Sequence, residues 1–258
     1  MEYQTLRLEI DAGTAVMTLD RPDVMNALNT QMRAEITHAV KAAEQKARVL
    51  VMTGTGRAFC SGQDLGDGGS AANLDLERTL RDEYVPMLKA IFDCAIPTIS
   101  AVNGPAAGAG ANLALAADVV LASEDAYFVQ AFTRIGLIPD AGGTYFLPRQ
   151  VGMARAMGAA LFADKITAKQ AADWGMVYEA IPATTFESRW KERAAQLANG
   201  PTKTYGYLKS AIRGSYDNNL DDQLALEAKL QGKCGLTRDF REGVVAFLEK
   251  RPAEFEGR

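Results

Sequence analysis

The chain has 258 residues, 48% hydrophobic and 23% charged, which is ample for a sizeable core as one large domain or a domain with an appendage. A net charge of −4 offers no global basic field for nucleic acid, so a phosphorylated ligand would need local lysines, arginines or backbone amides. The single histidine, His38, lies among polar neighbours in a helical pattern, which argues against a histidine triad or a multi-histidine metal site; no metal is expected.

Residues 5–10 and 14–19 alternate apolar and polar around Asp11-Ala12-Gly13, predicting two strands joined by a tight turn. Thr30 reads as the cap of a helix with Met32, Ile36, Ala39, Val40 and Ala43 on one face. Residues 49–52 form a buried strand that runs into the loop Thr53-Gly54-Thr55-Gly56. Residues 66–72 are small and polar, a loop. Leu76, Leu80, Tyr84, Met87, Leu88 and Ile91 then repeat at helical spacing. Residues 97–102 predict another strand, followed by a glycine-alanine loop and a helix from about Gly110; residues 119–122 predict a third buried strand. From 201 to 249 every pattern is helical, notably 220–233 and 240–248. Alternating strands and helices predict an α/β core over 1–200, with a helical region over 201–258.

Cys60, Cys94 and Cys234 form no C-x-x-C pair and are odd in number, so they read as reduced thiols in a cytoplasmic protein. Residues 1–11 have no apolar leader core, and no run suits a bilayer. The richest stretch, 103–122, is broken by Gly104, Pro105, Gly108 and Gly110 and carries Asp118.

Three constellations carry chemistry. The first, Gly56-Arg57-Ala58-Phe59-Cys60-Ser61-Gly62-Gln63-Asp64-Leu65, follows a predicted strand. The second, Asn103-Gly104-Pro105-Ala106-Ala107-Gly108-Ala109-Gly110-Ala111, also follows a strand and opens a helix. Small residues let a ligand approach the main chain, and amides at a helix start are unpaired. Two such loops can supply two N–H donors to one oxygen, an oxyanion hole; each taken singly also fits an ordinary glycine turn. Neither is a phosphate-binding P-loop or a dinucleotide fingerprint. In the third, Asp140 sits between Leu137-Ile138-Pro139 and Ala141-Gly142-Gly143-Thr144. An apolar wall would make it a stronger base, whereas the local residues favour a helix N-cap.

The succession F-C-S-G-Q-D-L, N-G-P-A-A-G-A-G and L-I-P-D-A-G-G-T resembles the crotonase (enoyl-CoA hydratase/isomerase) superfamily. Leu19-Asp20-Arg21-Pro22, Asn26-Ala27-Leu28-Asn29, A-A-D-W-G-M-V from Ala171 and F-L-E-K-R from Phe247 extend the resemblance over the whole chain. It implies a spiral of ββα units, a helical C-terminal region that forms trimers or dimers of trimers, and an acyl-CoA thioester ligand with no separate cofactor. Carried over, the oxyanion donors are the backbone N–H groups of Gln63, whose side chain is not expected to act, and Ala109, where the family usually has glycine. The two glutamates that handle water in the hydratases correspond to Asn112 and Phe132. Asp140 matches the catalytic aspartate of the isomerases. The tryptophan and histidine of the 4-chlorobenzoyl-CoA dehalogenases are missing.

Within the superfamily, G-Q-D-L, A-A-G-A-G-A, F-V-Q-A-F, G-L-I-P-D-A-G-G-T and R-E-G-V-V-A-F-L-E-K-R are most similar to the ring 1,2-epoxyphenylacetyl-CoA isomerases of phenylacetate catabolism. The resemblance therefore implies a 1,3-proton shift on an epoxyphenylacetyl-CoA or a 3-enoyl-CoA. The alternatives are a hydratase using Asp140 alone and a non-catalytic acyl-CoA-binding homologue. Asn112, Phe128 and Phe132 are expected to shape the acyl pocket. Arg57, Ser61, Asp64, Leu65, Phe247 and Lys250 are expected at the coenzyme A moiety.

Overall fold

The computed structural model describes residues 2–66 and 75–258. The antiparallel hairpin of β1 (Leu6–Asp11) and β2 (Thr14–Leu19) begins a six-stranded sheet. It continues in parallel through β3 (Val49–Gly54), β4 (Thr98–Val102), β6 (Val119–Ser123) and β9 (Glu179–Ile181). A second sheet joins β5 (Ala106–Ala107), β7 (Tyr127–Val129) and β8 (Ile166–Thr167).

The apolar runs follow from burial on both faces of the parallel sheet. Leu50 and Met52 face the main core with Met17 and Leu19. Val49 and Val51 point the other way with Ile99 and Leu121, onto Phe186, Trp190, Ala194 and Ala198 of α8 (Phe186–Ala198).

The helix α1 (Thr30–Lys46) is capped by Asn29, not Thr30: Asn29 is extended, and its Oδ1 accepts from Met32 N at 2.9 Å. The predicted helix through residues 76–91 is present and unbroken, but its hydrogen-bond register changes within it. It runs as α2 (Leu76–Thr79), a wider π turn over Leu80–Tyr84, and α3 (Val85–Phe92), which opens on Pro86. Such turns insert an extra residue and re-aim side chains, often at functional sites. Most of the small polar loop expected at 66–72 lies outside the described residues. His38 is exposed on α1 as expected and bonds Tyr3 Oη at 2.9 Å.

From β4 the chain crosses to β5, turns into α4 (Ala109–Leu115) and returns along β6 and β7; α5 (Gly143–Val151), α6 (Met153–Phe162) and α7 (Ala168–Asp173) follow. Beyond residue 201 come only α9 (Thr202–Gly214), α10 (Leu220–Gly235) and α11 (Arg238–Glu249). α9 is fastened to the core by ion pairs from Lys209 and Arg213 to Asp118, at 2.7 and 2.6 Å. α9 and α10 bury no residue, and Leu208, Ile212, Leu220 and Leu224 are all exposed. No helix among the described residues is long and apolar enough to cross a membrane, and all three cysteines are free.

Candidate active site

The two glycine loops meet edge to edge. Cys60 and Ala106 form a parallel bridge, with Ala107 N donating to Cys60 O at 3.0 Å. Gly62 adopts φ +95°, a left-handed conformation that favours glycine, and a Cβ there would lie 2.7 Å from Ala107 O and 3.4 Å from Ala109 N. The loops approach this closely only because position 62 has no side chain.

On the other edge, Leu28 pairs with Gln63: Leu28 N donates to Gly62 O at 2.8 Å, and Asp64 N donates to Leu28 O at 3.1 Å. Successive peptide groups of an extended chain point to opposite sides, so this pairing turns the N–H of Gln63 away from Leu28. Among the described residues, neither Gln63 N nor Ala109 N donates to any backbone group outside the regular elements, and Ala109 opens α4, where amides have no intrahelical partner. Ala109 is not among the residues with positive φ, so its backbone accommodates a Cβ where glycine was the family expectation.

Both loops open on a cavity of about 300 Å³. Ser61, Gln63, Leu65, Ala109, Phe132 and Asp140 line it, with Leu76, Leu80, Tyr84, Ile135 and Leu137 completing an apolar wall. Asp140 is its only carboxylate among the described residues. Asp140 Oδ1 is buried without a hydrogen-bond partner there, and desolvation pushes the carboxyl up to about 6, offset in small part by its own amide. The helix-cap alternative fails on geometry: the residue preceding α5 is Gly142, and no side chain caps it. Asp140 also borders a second cavity of about 350 Å³ walled by Val85, Leu88, Ile138 and Pro139. Larger hollows of about 610 and 700 Å³ along α9 and α10 contain neither the loops nor Asp140.

Two residues expected on the acyl pocket lie behind it. Asn112 is fully buried; its Nδ2 donates to Asp140 O at 2.7 Å and its Oδ1 accepts from Gln130 Nε2 at 2.8 Å. It fixes the backbone that carries Asp140, and Gly143 leaves the space for it. Phe128 is fully buried in the core through β7 and is not on the cavity wall. Phe132 does reach the wall, with its ring over Gly108.

Among the residues expected at coenzyme A, Ser61 and Leu65 line the cavity. Asp64 is tied to Arg21 at 2.8 Å and to Gly66 N at 3.0 Å. Arg57 is exposed outside the lining. Phe247 and Lys250 are also exposed, at the end of α11, and are not brought to the cavity within one chain. Sequence reasoning missed Arg33 and Tyr84, whose side chains grip Gln63. The available signal was an arginine inside the buried face of α1 and a tyrosine hydroxyl on an apolar helical stripe.

A family model for enoyl-CoA hydratase/isomerase matches residues 9–258. The chain belongs to the enoyl-CoA hydratase/isomerase family. It is 62% identical over 258 residues, all of both chains, to a Rhodobacter capsulatus protein described as a probable enoyl-CoA hydratase. It is 42% identical over 254 residues, 96% of this chain and 97% of the other, to the 1,2-epoxyphenylacetyl-CoA isomerase of Escherichia coli. The crystal structure of an enoyl-CoA hydratase subunit from Geobacillus kaustophilus superposes with a TM-score of 0.93 at 32% identity, covering 100% of each chain. The crotonase fold expected from the motifs is thereby established for this family member, with its helical C-terminal region.

Proposed function

We propose that this family member is a cytoplasmic acyl-CoA isomerase that moves a proton by way of a thioester enolate. One observation carries the reading: Asp140, the one carboxylate on the cavity among the described residues, is buried and unpartnered at Oδ1 and shares that cavity with the two loops whose amides would hold the thioester oxygen. Those amides would stabilise the enolate oxygen more than the ground-state carbonyl and so lower the barrier to losing the α-proton. Ionised Asp140 takes that proton. It then returns the same proton to the γ-carbon of a 3-enoyl thioester, giving the 2-enoyl product, or to the ring of an epoxyphenylacetyl thioester, where the bond between the two epoxide carbons breaks as the ring expands to the oxepin. The proton is conserved, so the chemistry calls for no cofactor beyond the coenzyme A of the substrate. The second cavity, contiguous with Asp140, supports an acyl group with a bulky apolar end.

The name of the Rhodobacter relative favours a second reading, hydration. Asn112 and Phe132 stand against it, because neither replaces a glutamate as acid or base for water. The test is turnover of crotonyl-CoA, a 3-enoyl-CoA and 2-(1,2-epoxy-1,2-dihydrophenyl)acetyl-CoA by the same preparation. Crotonyl-CoA hydration is expected to be slower than the best isomerisation by at least about 10²-fold, the scale of one missing acid–base group. Equal rates would establish the hydratase instead.

Assembly into trimers or dimers of trimers belongs to the same proposal. Its support is the apolar surface of the C-terminal helices, where Leu236, Phe247 and Leu248 are 80%, 82% and 73% exposed. Light scattering is expected to give three or six times 27.8 kDa, and the monomer mass would refute it.

A further inference from the structure

The loop carrying Gln63 is tied to the cavity wall by a buried polar network. Arg33 is 2% exposed. Its Nη1 donates to Leu28 O at 2.6 Å and to Gln63 Oε1 at 2.9 Å. Its Nε and Nη2 donate to Glu83 Oε2 at 3.0 and 2.6 Å. Tyr84 donates its hydroxyl to the same Gln63 Oε1 at 2.6 Å, and its ring lies 5.0 Å from the guanidinium carbon. Burial holds the Tyr84 hydroxyl well above its ordinary pKa, so it stays a neutral donor.

Stability alone does not account for this arrangement, because apolar side chains of similar volume often do as well as a buried ion pair. What the network grips is specific. Leu28 O is the carbonyl that also accepts from Asp64 N, next to Gln63. Arg33 therefore holds both the strand that brackets Gln63 and the Gln63 side chain itself. Gln63 needs such an anchor, since it follows the left-handed Gly62 and its own N–H is turned away from Leu28.

We propose that Arg33 and Tyr84 are positioning residues that lock Gln63, so that its backbone N–H stays aimed at the thioester oxygen as negative charge develops there. The inference rests on the isomerase reading above. It revises the expectation that the Gln63 side chain takes no part. It also couples the oxyanion loop to the π turn whose residues wall the acyl cavity. An oxyanion donor must fit the transition state rather than the bound substrate, so slack at Gln63 is expressed in kcat and not in KM.

Arg33→Met would strand Glu83 without its buried partner, so the probes are Tyr84→Phe, Gln63→Met and the double variant, none of which removes a charge. Each is assayed for kcat and KM with a 3-enoyl-CoA, for hexanoyl-CoA affinity and for melting temperature. Each single change is expected to lower kcat about ten-fold, within the range for a small misplacement near the reacting atoms. KM and hexanoyl-CoA affinity should stay within about two-fold. The double variant should be no worse than Gln63→Met, because both changes remove one shared contact. Unchanged kcat in the folded single variants would overturn the proposal, as would losses that multiply in the double variant or that appear in KM. Asp140→Asn run alongside separates the two claims. Retained turnover there refutes Asp140 as the base of the isomerase reading, whereas lost turnover there with unchanged kcat in Tyr84→Phe and Gln63→Met refutes only the positioning role.

Discussion

Asp140→Asn is expected to remove nearly all isomerase turnover while leaving the protein folded and, above pH 6, more stable. Asparagine keeps the size of aspartate but cannot accept a proton. General-base catalysis is worth about 10²–10⁴-fold, and no second carboxylate lines the cavity among the described residues to take over. The stability change follows from linkage. The carboxyl stands at about 6 in the folded chain because burial disfavours its charged form, against roughly 4 in an unfolded chain. A raised folded pKa means that the protonated form stabilises the fold at low pH and that this contribution is lost as pH rises through about 6. Above that pH the ionised group costs about 1–2 kcal/mol once its partial exposure is allowed for, or about 3–6 °C in melting temperature. The variant should gain that much at pH 8 and nothing near pH 4. The wild-type rate should fall as pH drops through about 6, because the base must be ionised to act. Turnover near the wild-type level in folded Asp140→Asn would assign the base elsewhere.

The second large effect belongs to a residue with no reactive group. Gly62→Ala forces a Cβ to within 2.7 Å of Ala107 O at a φ of +95°, so one loop has to move away from the other. On the proposed reading, the amides of Gln63 and Ala109 would then no longer serve one oxygen. Loss of one oxyanion donor typically costs about 10²–10³-fold in kcat, and that range is expected here. The strain itself should add about 1–3 kcal/mol of destabilisation. Affinity for a saturated acyl-CoA should change far less than kcat, since the ground-state carbonyl gains little from the donors. The check is kcat beside hexanoyl-CoA affinity at a temperature where the variant is folded. A parallel loss of both would mean that Gly62 serves only to let the two loops pack.

Much of the frame is legible in the residues. The buried strand at Val49–Gly54 shows as a β-branched apolar run because both its faces are covered. The hairpin of residues 6–19 shows as alternation, because its side chains point to opposite faces. The all-helical end shows because its patterns keep helical spacing. Family motifs add the order of the two loops and Asp140. Local patterns misled wherever the deciding partner was distant in sequence. Asp140 reads as a cap from its neighbours, yet α5 begins beyond it and Asn112 holds its carbonyl. Phe128 reads as a pocket aromatic, yet β7 turns it into the core.

What the sequence determined by itself was the set of local backbone options: glycine where the chain turns left-handed at Gly62, small residues where loops approach, and apolar stripes of the right period. What only the tertiary structure decided was which groups meet. The Asp140 carboxyl is pushed up by the loss of water around it, and that environment is assembled from loops, the π turn and α4, which lie far apart along the chain. Likewise Arg33 and Gln63 are 30 residues apart, and nothing in either local pattern announces the 2.9 Å bond between them. Periodicity records which face of an element is buried; it carries no information about the opposite number across a fold, because that depends on the packing of whole elements.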